Sequence, residues 1–141
     1  MKRSAGRRGG EKEDRQLKKA GSRGGFDRLV DLHSHILSGF DDGASGPEQS
    51  LRMIGAAQRG GILDIVATPH VNLDTGCFNP ASVAASVDEL NRILRDEGSE
   101  VRIHPGAEVR MSAVLARLEE LPCPLVELTM GRKGVYLLVD L

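Results

Sequence analysis

Apolar residues along the chain fall into short, nearly unbroken runs that alternate with stretches of helical period. Leu29–His33 reads as a buried strand, and Ile62–Ala67 as a second one that ends at Thr68-Pro69-His70. Between them, Pro47-Glu48 opens a helix to about Arg59, with Leu51, Met53, Ile54 and Ala57 on one face and Gly60-Gly61 as its stop. A loop, Val71–Phe78, leads to a helix started by Asn79-Pro80 and running to about Glu97. In it Val83, Val87, Leu90 and Leu94 recur at spacings of three and four. Val101–Ile103 is a third strand, which Gly106–Val109 either continues or follows after a kink at Pro105. Met111–Leu121 has the pattern of a short amphipathic helix, Pro122–Arg132 is an irregular connection, and Val135–Asp140 is a fourth strand. Apolar strands separated by helices predict an α/β fold of βαβ units, with a parallel sheet covered on both faces.

Composition narrows this picture without changing it. A chain of 141 residues has room for one domain and one modest core. With three Phe, one Tyr and no Trp, that core must be aliphatic. No apolar run approaches the roughly 20 residues of a membrane span. The N-terminus also lacks the apolar centre of a secretory signal. A cytoplasmic protein without membrane insertion is the expectation.

Charge is unevenly spread. Residues 1–28 hold ten Lys/Arg against four Asp/Glu, whereas residues 29–141 hold nine against sixteen. With almost nothing apolar to bury, residues 1–28 should be a disordered basic tail. Such an arm can meet nucleic acid or an acidic surface, but it has no interleaved aromatics, so a nucleic-acid partner is not expected. An extension without a role is the plainer alternative. Cys77 and Cys123 stand 46 positions apart, in no metal or redox spacing, and read as free thiols. A cysteine-based phosphatase needs an Arg six positions after its thiolate. Val83 and Thr129 stand there instead, which excludes that class.

The polar residues that interrupt this pattern gather at strand ends. His33 and His35 close the first strand, His70 the second, Glu108 lies near the end of the third, and Asp140 closes the fourth. Residues i and i+2 of a strand share a side, so His33 and His35 can converge on one cation. Ligands of parallel α/β sheets bind at the carboxyl ends of strands, which puts all these side chains on one rim. The acidic pair Asp41-Asp42, followed by Gly43, lies on a loop that can fold back over the same point. Imidazoles and carboxylates together suit Mn²⁺, Fe or Zn²⁺ better than Mg²⁺. Bland readings stand beside these: hydrogen-bonded strand-end histidines, a Glu108–Arg110 ion pair, and a solvated carboxylate at Asp140. His104 reads as structural or exposed, Arg110 as a surface ion-pair partner, and Asp64 and Asp74 as ordinary loop or strand-start charges.

Taken together, Val30-Asp31-Leu32-His33-Ser34-His35-Ile36-Leu37, Gly39, Asp41-Asp42-Gly43 and Glu48-Gln49-Ser50-Leu51 resemble the opening of the polymerase-and-histidinol-phosphatase (PHP) superfamily. Within it they resemble the bacterial CpsB/CapC/YwqE-type manganese-dependent tyrosine phosphatases. Ile65-Val66-Ala67-Thr68-Pro69-His70 with Gly76 and Asn79-Pro80, then Gly106-Ala107-Glu108-Val109-Arg110, then Tyr136-Leu137-Leu138-Val139-Asp140 are similar to later blocks of that family, in order from about Leu29 to Leu141.

The resemblance implies a (β/α) barrel of seven strands with up to three metal ions, preferably Mn²⁺, at the strand C-termini. Here it would be a partial PHP-type barrel of about four parallel strands, spanning residues 29–141. By position, His33 and His35 would hold one metal, while Asp42, His70 and Glu108 would serve others. Asp42 and His70 are also the residues expected closest to catalysis. Asp140 would bridge, where the family usually carries Glu, and Asp41 is the fallback if Asp42 points away. The implied reaction is attack on phosphotyrosine by hydroxide from metal-acidified water, with no Ser or Cys nucleophile. The implied partner is the tyrosine-rich tail of a bacterial tyrosine autokinase of capsule or exopolysaccharide synthesis.

The later His, Asp-x-His pair and phosphate-binding Arg of the family have no counterpart in these residues, so a truncated chain with little turnover is expected. It would leave an open sheet edge, with oligomer formation one way to cover it. Another PHP phosphoesterase, such as a histidinol phosphatase, and an inactive fragment acting as a binding module are the competing readings.

Overall fold

The second strand ends at Ala67 as expected, but the chain resumes as a short strand at His70–Val71, where the sequence predicts a loop, and the third course is interrupted after Pro105. These breaks carry the chemistry. The computed structural model describes residues 28–71, 78–110 and 123–140. Among them are six strands: β1 (Leu29–Ser34), β2 (Ile62–Ala67), β3 (His70–Val71), β4 (Arg102–Pro105), β5 (Glu108–Arg110) and β6 (Leu138–Asp140). Helix α1 (Pro47–Arg59) lies between β1 and β2, and α2 (Pro80–Asp96) between β3 and β4. Every strand pairing is parallel, in two three-stranded sheets ordered β1-β2-β4 and β3-β5-β6. The α/β expectation with parallel strands therefore holds. The four expected strands are four chain courses, two of them interrupted, and neither sheet closes among the described residues.

The interruptions have local causes. Pro69 has no N–H to donate to a ladder, so β2 stops before it and β3 resumes at His70. Around this break Thr68 takes over the pairing: its N–H donates to the Ser34 carbonyl at 2.9 Å, and its Oγ1 accepts from the Ser34 N–H at 3.0 Å. The Glu108 N–H then donates to the Pro69 carbonyl at 3.0 Å, so these groups at the bend are satisfied. In the other course β4 ends at Pro105, and a Cβ on Gly106 would meet Val66 Cγ1 at 2.7 Å. Glycine lets that bend lie directly on β2.

Helix α2 begins where the sequence places it. The Asn79 side chain accepts from the Ala81 and Ser82 amides at 2.9 and 3.3 Å, and Pro80 supplies the first turn. The apolar stripe of this helix, Val83, Val87, Leu90 and Leu94, packs with Ile54 of α1, Ile65 and Ala67 of β2, Ile103 of β4 and Val109 of β5 in one aliphatic core. Asn91, on α2, clasps the backbone of β4: its Nδ2 donates to the Ile103 carbonyl at 2.8 Å, and its Oδ1 accepts from the Ile103 N–H at 2.9 Å. A side-chain amide thus occupies backbone groups that a further strand would otherwise seek.

Three expectations need correction. The fourth strand covers only Leu138–Asp140 of the expected Val135–Asp140, and Val135 and Tyr136 before it are exposed. Leu29–His33 is not a buried strand: Leu29, Val30 and Leu32 are exposed, because β1 is an edge strand that pairs on one side only among the described residues. Asp64 is not an ordinary strand-start charge. Its carboxylate accepts from Arg28 Nε at 2.6 Å and lies 2.8 Å from His104 Nε2, which joins the lead into β1 to β2 and β4. The expectations for the basic tail up to residue 27, for most of the loop before α2 with Asp74 and Cys77, and for the helix at 111–121 lie outside the described residues.

The Asp64 trio has a measurable consequence. Hydrogen bonding from Arg28, then from His104, holds the Asp64 carboxyl below its ordinary 3.8 against the effect of burial. The folded state therefore binds this proton less tightly than the unfolded chain. The stabilisation is complete above the ordinary carboxyl value and is lost as the pH falls through the lower folded one. Asp64→Asn should lower the urea midpoint near neutrality, and the difference from the native chain should vanish towards strong acid. A constant difference at every pH would contradict this account.

Candidate metal centre

β3 and β5 pair in register, His70 opposite Glu108, and β1 delivers His33 and, just beyond its end, His35 to the same place. The Glu108 side chain is 8% exposed, and its Oε2 lies 3.2 Å from His33 Nε2, 3.1 Å from His35 Nε2 and 3.1 Å from His70 Nδ1. The two Nε2 atoms of His33 and His35 are themselves 3.1 Å apart. Although three ring nitrogens surround it, this oxygen has no aligned hydrogen-bond donor among the described residues and no contact with solvent. A buried carboxylate oxygen left in that condition is costly.

The geometry fits a cation. Ligand atoms about 2.1 Å from a metal stand about 3 Å apart when they bind at right angles. The spacings around Glu108 Oε2 agree with that, and the nitrogen-and-carboxylate donor set suits Mn²⁺, Fe or Zn²⁺.

A second group adjoins the first. His35, Asp41, Asp42 and His70 each offer an atom within 4.8 Å of the others, as do His33, His35 and Glu108. The two acids of the loop differ sharply. The Asp41 side chain is 6% exposed, and its Oδ2 lies 2.8 Å from His35 Nδ1. The same oxygen accepts from the His70 N–H at 3.1 Å, while Oδ1 accepts from the Gly43 N–H at 3.0 Å. Asp42 is 86% exposed, with Oδ1 3.6 Å from His70 Nε2. Burial pushes the Asp41 carboxyl up, but the bonds from His35, Gly43 and His70 outweigh it and leave the group below the ordinary carboxylate range.

The structure thus brings together His33, His35, Asp42, His70 and Glu108. It leaves Asp140 apart: β5 and β6 place it opposite Arg110, whose Nε lies 3.6 Å from its Oδ2. Arg110 pairs there rather than with Glu108. Asp41, held only as a fallback on sequence, proves the more deeply embedded of the two loop acids. The signal for it was Gly43: a Cβ there would overlap the carbonyl oxygen and Cβ of His35, so the loop must return directly onto that residue. Thr68 was missed as a structural element. A hydroxyl beside a strand-breaking proline was its signature. Cys123 is half-buried, and burial pushes its thiol up further than Arg132 lowers it, which suits an inert cysteine.

Comparison with known proteins adds an independent line. Residues 29–140 match the protein family described as capsular polysaccharide synthesis, CpsB/CapC. Tyrosine-protein phosphatase YwqE of Bacillus subtilis is 41% identical over 83 residues, covering 59% of this chain and 33% of YwqE. The putative tyrosine-protein phosphatase CapC of Staphylococcus aureus is 29% identical over 84 residues, covering 60% of this chain and 33% of CapC. Tyrosine-protein phosphatase CpsB of Streptococcus pneumoniae is 27% identical over 97 residues, covering 68% of this chain and 40% of CpsB. A chain from the crystal structures of YwqE and CpsB, described as unique metal-dependent tyrosine phosphatases, superposes with a TM-score of 0.62 at 34% identity. That match covers 79% of this chain and 43% of the solved one. The chain therefore spans between a third and a half of the length of the relatives it matches.

Proposed function

Since the chain belongs to the CpsB/CapC family of capsular polysaccharide synthesis, we propose that it supplies the metal-binding part of a metal-dependent protein-tyrosine phosphatase. The observation that carries this reading is Glu108 Oε2, buried, without an aligned donor, and ringed by three imidazole nitrogens at 3.1–3.2 Å. Residues 29–141 are then the N-terminal part of a PHP-type (β/α) barrel. The edges of β1 and β6 that have no partner among the described residues are where further strands would pair.

In this reading His33, His35 and Glu108 hold one cation, and His70 with Asp42 holds another. When bound, Mn²⁺, or Fe or Zn²⁺ in its place, lowers the pKa of water and offsets phosphate charge. The chain's own residues do the rest. Glu108 contributes a buried negative charge that the histidines alone lack. His70 faces Glu108 with Nδ1 and Asp42 with Nε2, which links the two groups. Asp42 stands on the exposed side, where water and a phosphate ester would meet. Nothing in this arrangement requires a thiolate. The substrate is a phosphotyrosine protein, the tail of a bacterial tyrosine autokinase of capsule or exopolysaccharide synthesis, dephosphorylated in the cytoplasm. No helix among the described residues is long and apolar enough to cross a membrane.

A chimera tests this reading: residues 29–140 would replace the matched portion of Bacillus subtilis YwqE. The expected result is Mn²⁺-dependent hydrolysis of a phosphotyrosine peptide, abolished by His33→Ala. A folded but inert chimera, or one that prefers histidinol phosphate, would refute it.

A further inference from the structure

The pair Asp41-Asp42 offers two carboxylates to one site, and the structure gives them different work. We propose that Asp41 is a positioning residue: it holds the His35 ring with Nδ1 protonated, so that Nε2 faces the cation bare, and leaves Asp42 as the loop's ligand. The proposal rests on the metal-centre reading above, but its first test requires no metal.

Three contacts fix Asp41. Oδ2 takes the Nδ1 side of His35 at 2.8 Å and the His70 N–H at 3.1 Å, and Oδ1 takes the Gly43 N–H at 3.0 Å. A carboxylate has roughly four acceptor positions, so this one is nearly saturated by the protein. With its side chain 6% exposed, it also has little open surface to offer a cation. An ionised carboxylate cannot donate, so the 2.8 Å contact demands the proton on His35 Nδ1. The opposite ring nitrogen, Nε2, is the atom 3.1 Å from both Glu108 Oε2 and His33 Nε2. One carboxylate therefore selects which histidine nitrogen is presented, as supporting carboxylates do for metal-bound histidines generally. The His70 bond extends this control, since the same oxygen anchors the backbone from which the third imidazole projects. Among the described residues Asp42 has no such partners: it is 86% exposed and lies in an ion pair with His70 Nε2 at 3.6 Å.

Long-range ¹H–¹⁵N spectra of the metal-free native chain, above the titration of its imidazoles, read the tautomer directly. His35 should carry its proton on Nδ1. Asp41→Ala should abolish that preference and weaken Mn²⁺ binding, measured by calorimetry, by about 10–100-fold. Asp41→Asn keeps one acceptor oxygen but sets its NH2 against a donor, so its loss should lie between the native chain and Asp41→Ala. A native His35 protonated on Nε2 would overturn the proposal, as would an Asp41→Ala chain that binds Mn²⁺ like the native one. The native spectrum needs no substitution, so a variant that fails to fold leaves the test standing. A native chain that binds no Mn²⁺ but shows the Nδ1–H tautomer would sink the phosphatase reading alone.

Discussion

Glu108→Gln is expected to leave the metal-free chain at least as stable as the native one while removing its response to Mn²⁺. In the native chain a buried carboxylate oxygen has no aligned donor, which is a cost that the neutral amide reduces. The amide can also donate to a neighbouring imidazole nitrogen, which lies 3.1 Å away in the case of His35 and of His70. What the substitution removes is the charge that draws a cation into the ring. Losing a direct ligand should exceed the about 10–100-fold weakening that follows loss of a supporting partner. Thermal unfolding with and without Mn²⁺ separates the two effects. A ligand at about 100 times its Kd stabilises by about 2.7 kcal/mol, so the native Tm should rise clearly and the variant's should not. A variant that keeps the Mn²⁺-induced rise, or that melts well below the native chain without metal, would show that Glu108 serves the fold instead.

Gly43→Ala should produce the largest loss from the smallest chemical change. The loop turns back so closely that Ala44 N–H donates to the His35 carbonyl at 3.0 Å, and a Cβ at position 43 would occupy the space of that carbonyl and of the His35 Cβ. No rotamer relieves this overlap, because the opposing atoms are backbone or fixed to it. The loop would have to lift, taking Asp41 away from His35 and from the His70 amide. Overpacking of this kind costs about 1–3 kcal/mol. Here it should also weaken Mn²⁺ binding as Asp41→Ala does. Urea unfolding and calorimetry on the same samples measure both. A Gly43→Ala chain with native stability and native Mn²⁺ affinity would mean the loop yields freely, and the account of Gly43 would be wrong.

Helix positions were legible because they depend on local rules. Asn79-Pro80 is a capping pair wherever it occurs, and the spacing of Val83, Val87, Leu90 and Leu94 dictates a buried stripe whatever it packs against. The strand breaks were half legible: a kink was anticipated near Pro105, but the resumption at His70 depends on Thr68 finding Ser34 across the sheet. Buried and exposed apolar strands look alike in sequence. Leu29, Val30 and Leu32 read as core residues, and they are exposed because of their place at an edge, which no local pattern encodes.

By itself, the order of residues determined the alternation of strand and helix, the aliphatic core, and a set of histidines and acids at strand ends, because periodicity and ligand chemistry belong to short segments. Only the tertiary structure decided which acids meet which histidines. It set Glu108 among three imidazoles, turned Asp41 inward and Asp42 outward, and gave Asp140 to Arg110. Those choices hang on the parallel register of β3, β5 and β6 and on how closely Gly43 lets a loop return. Contacts of about 3 Å between residues tens of positions apart are fixed by the packing of the whole fold, not by their neighbours in the chain.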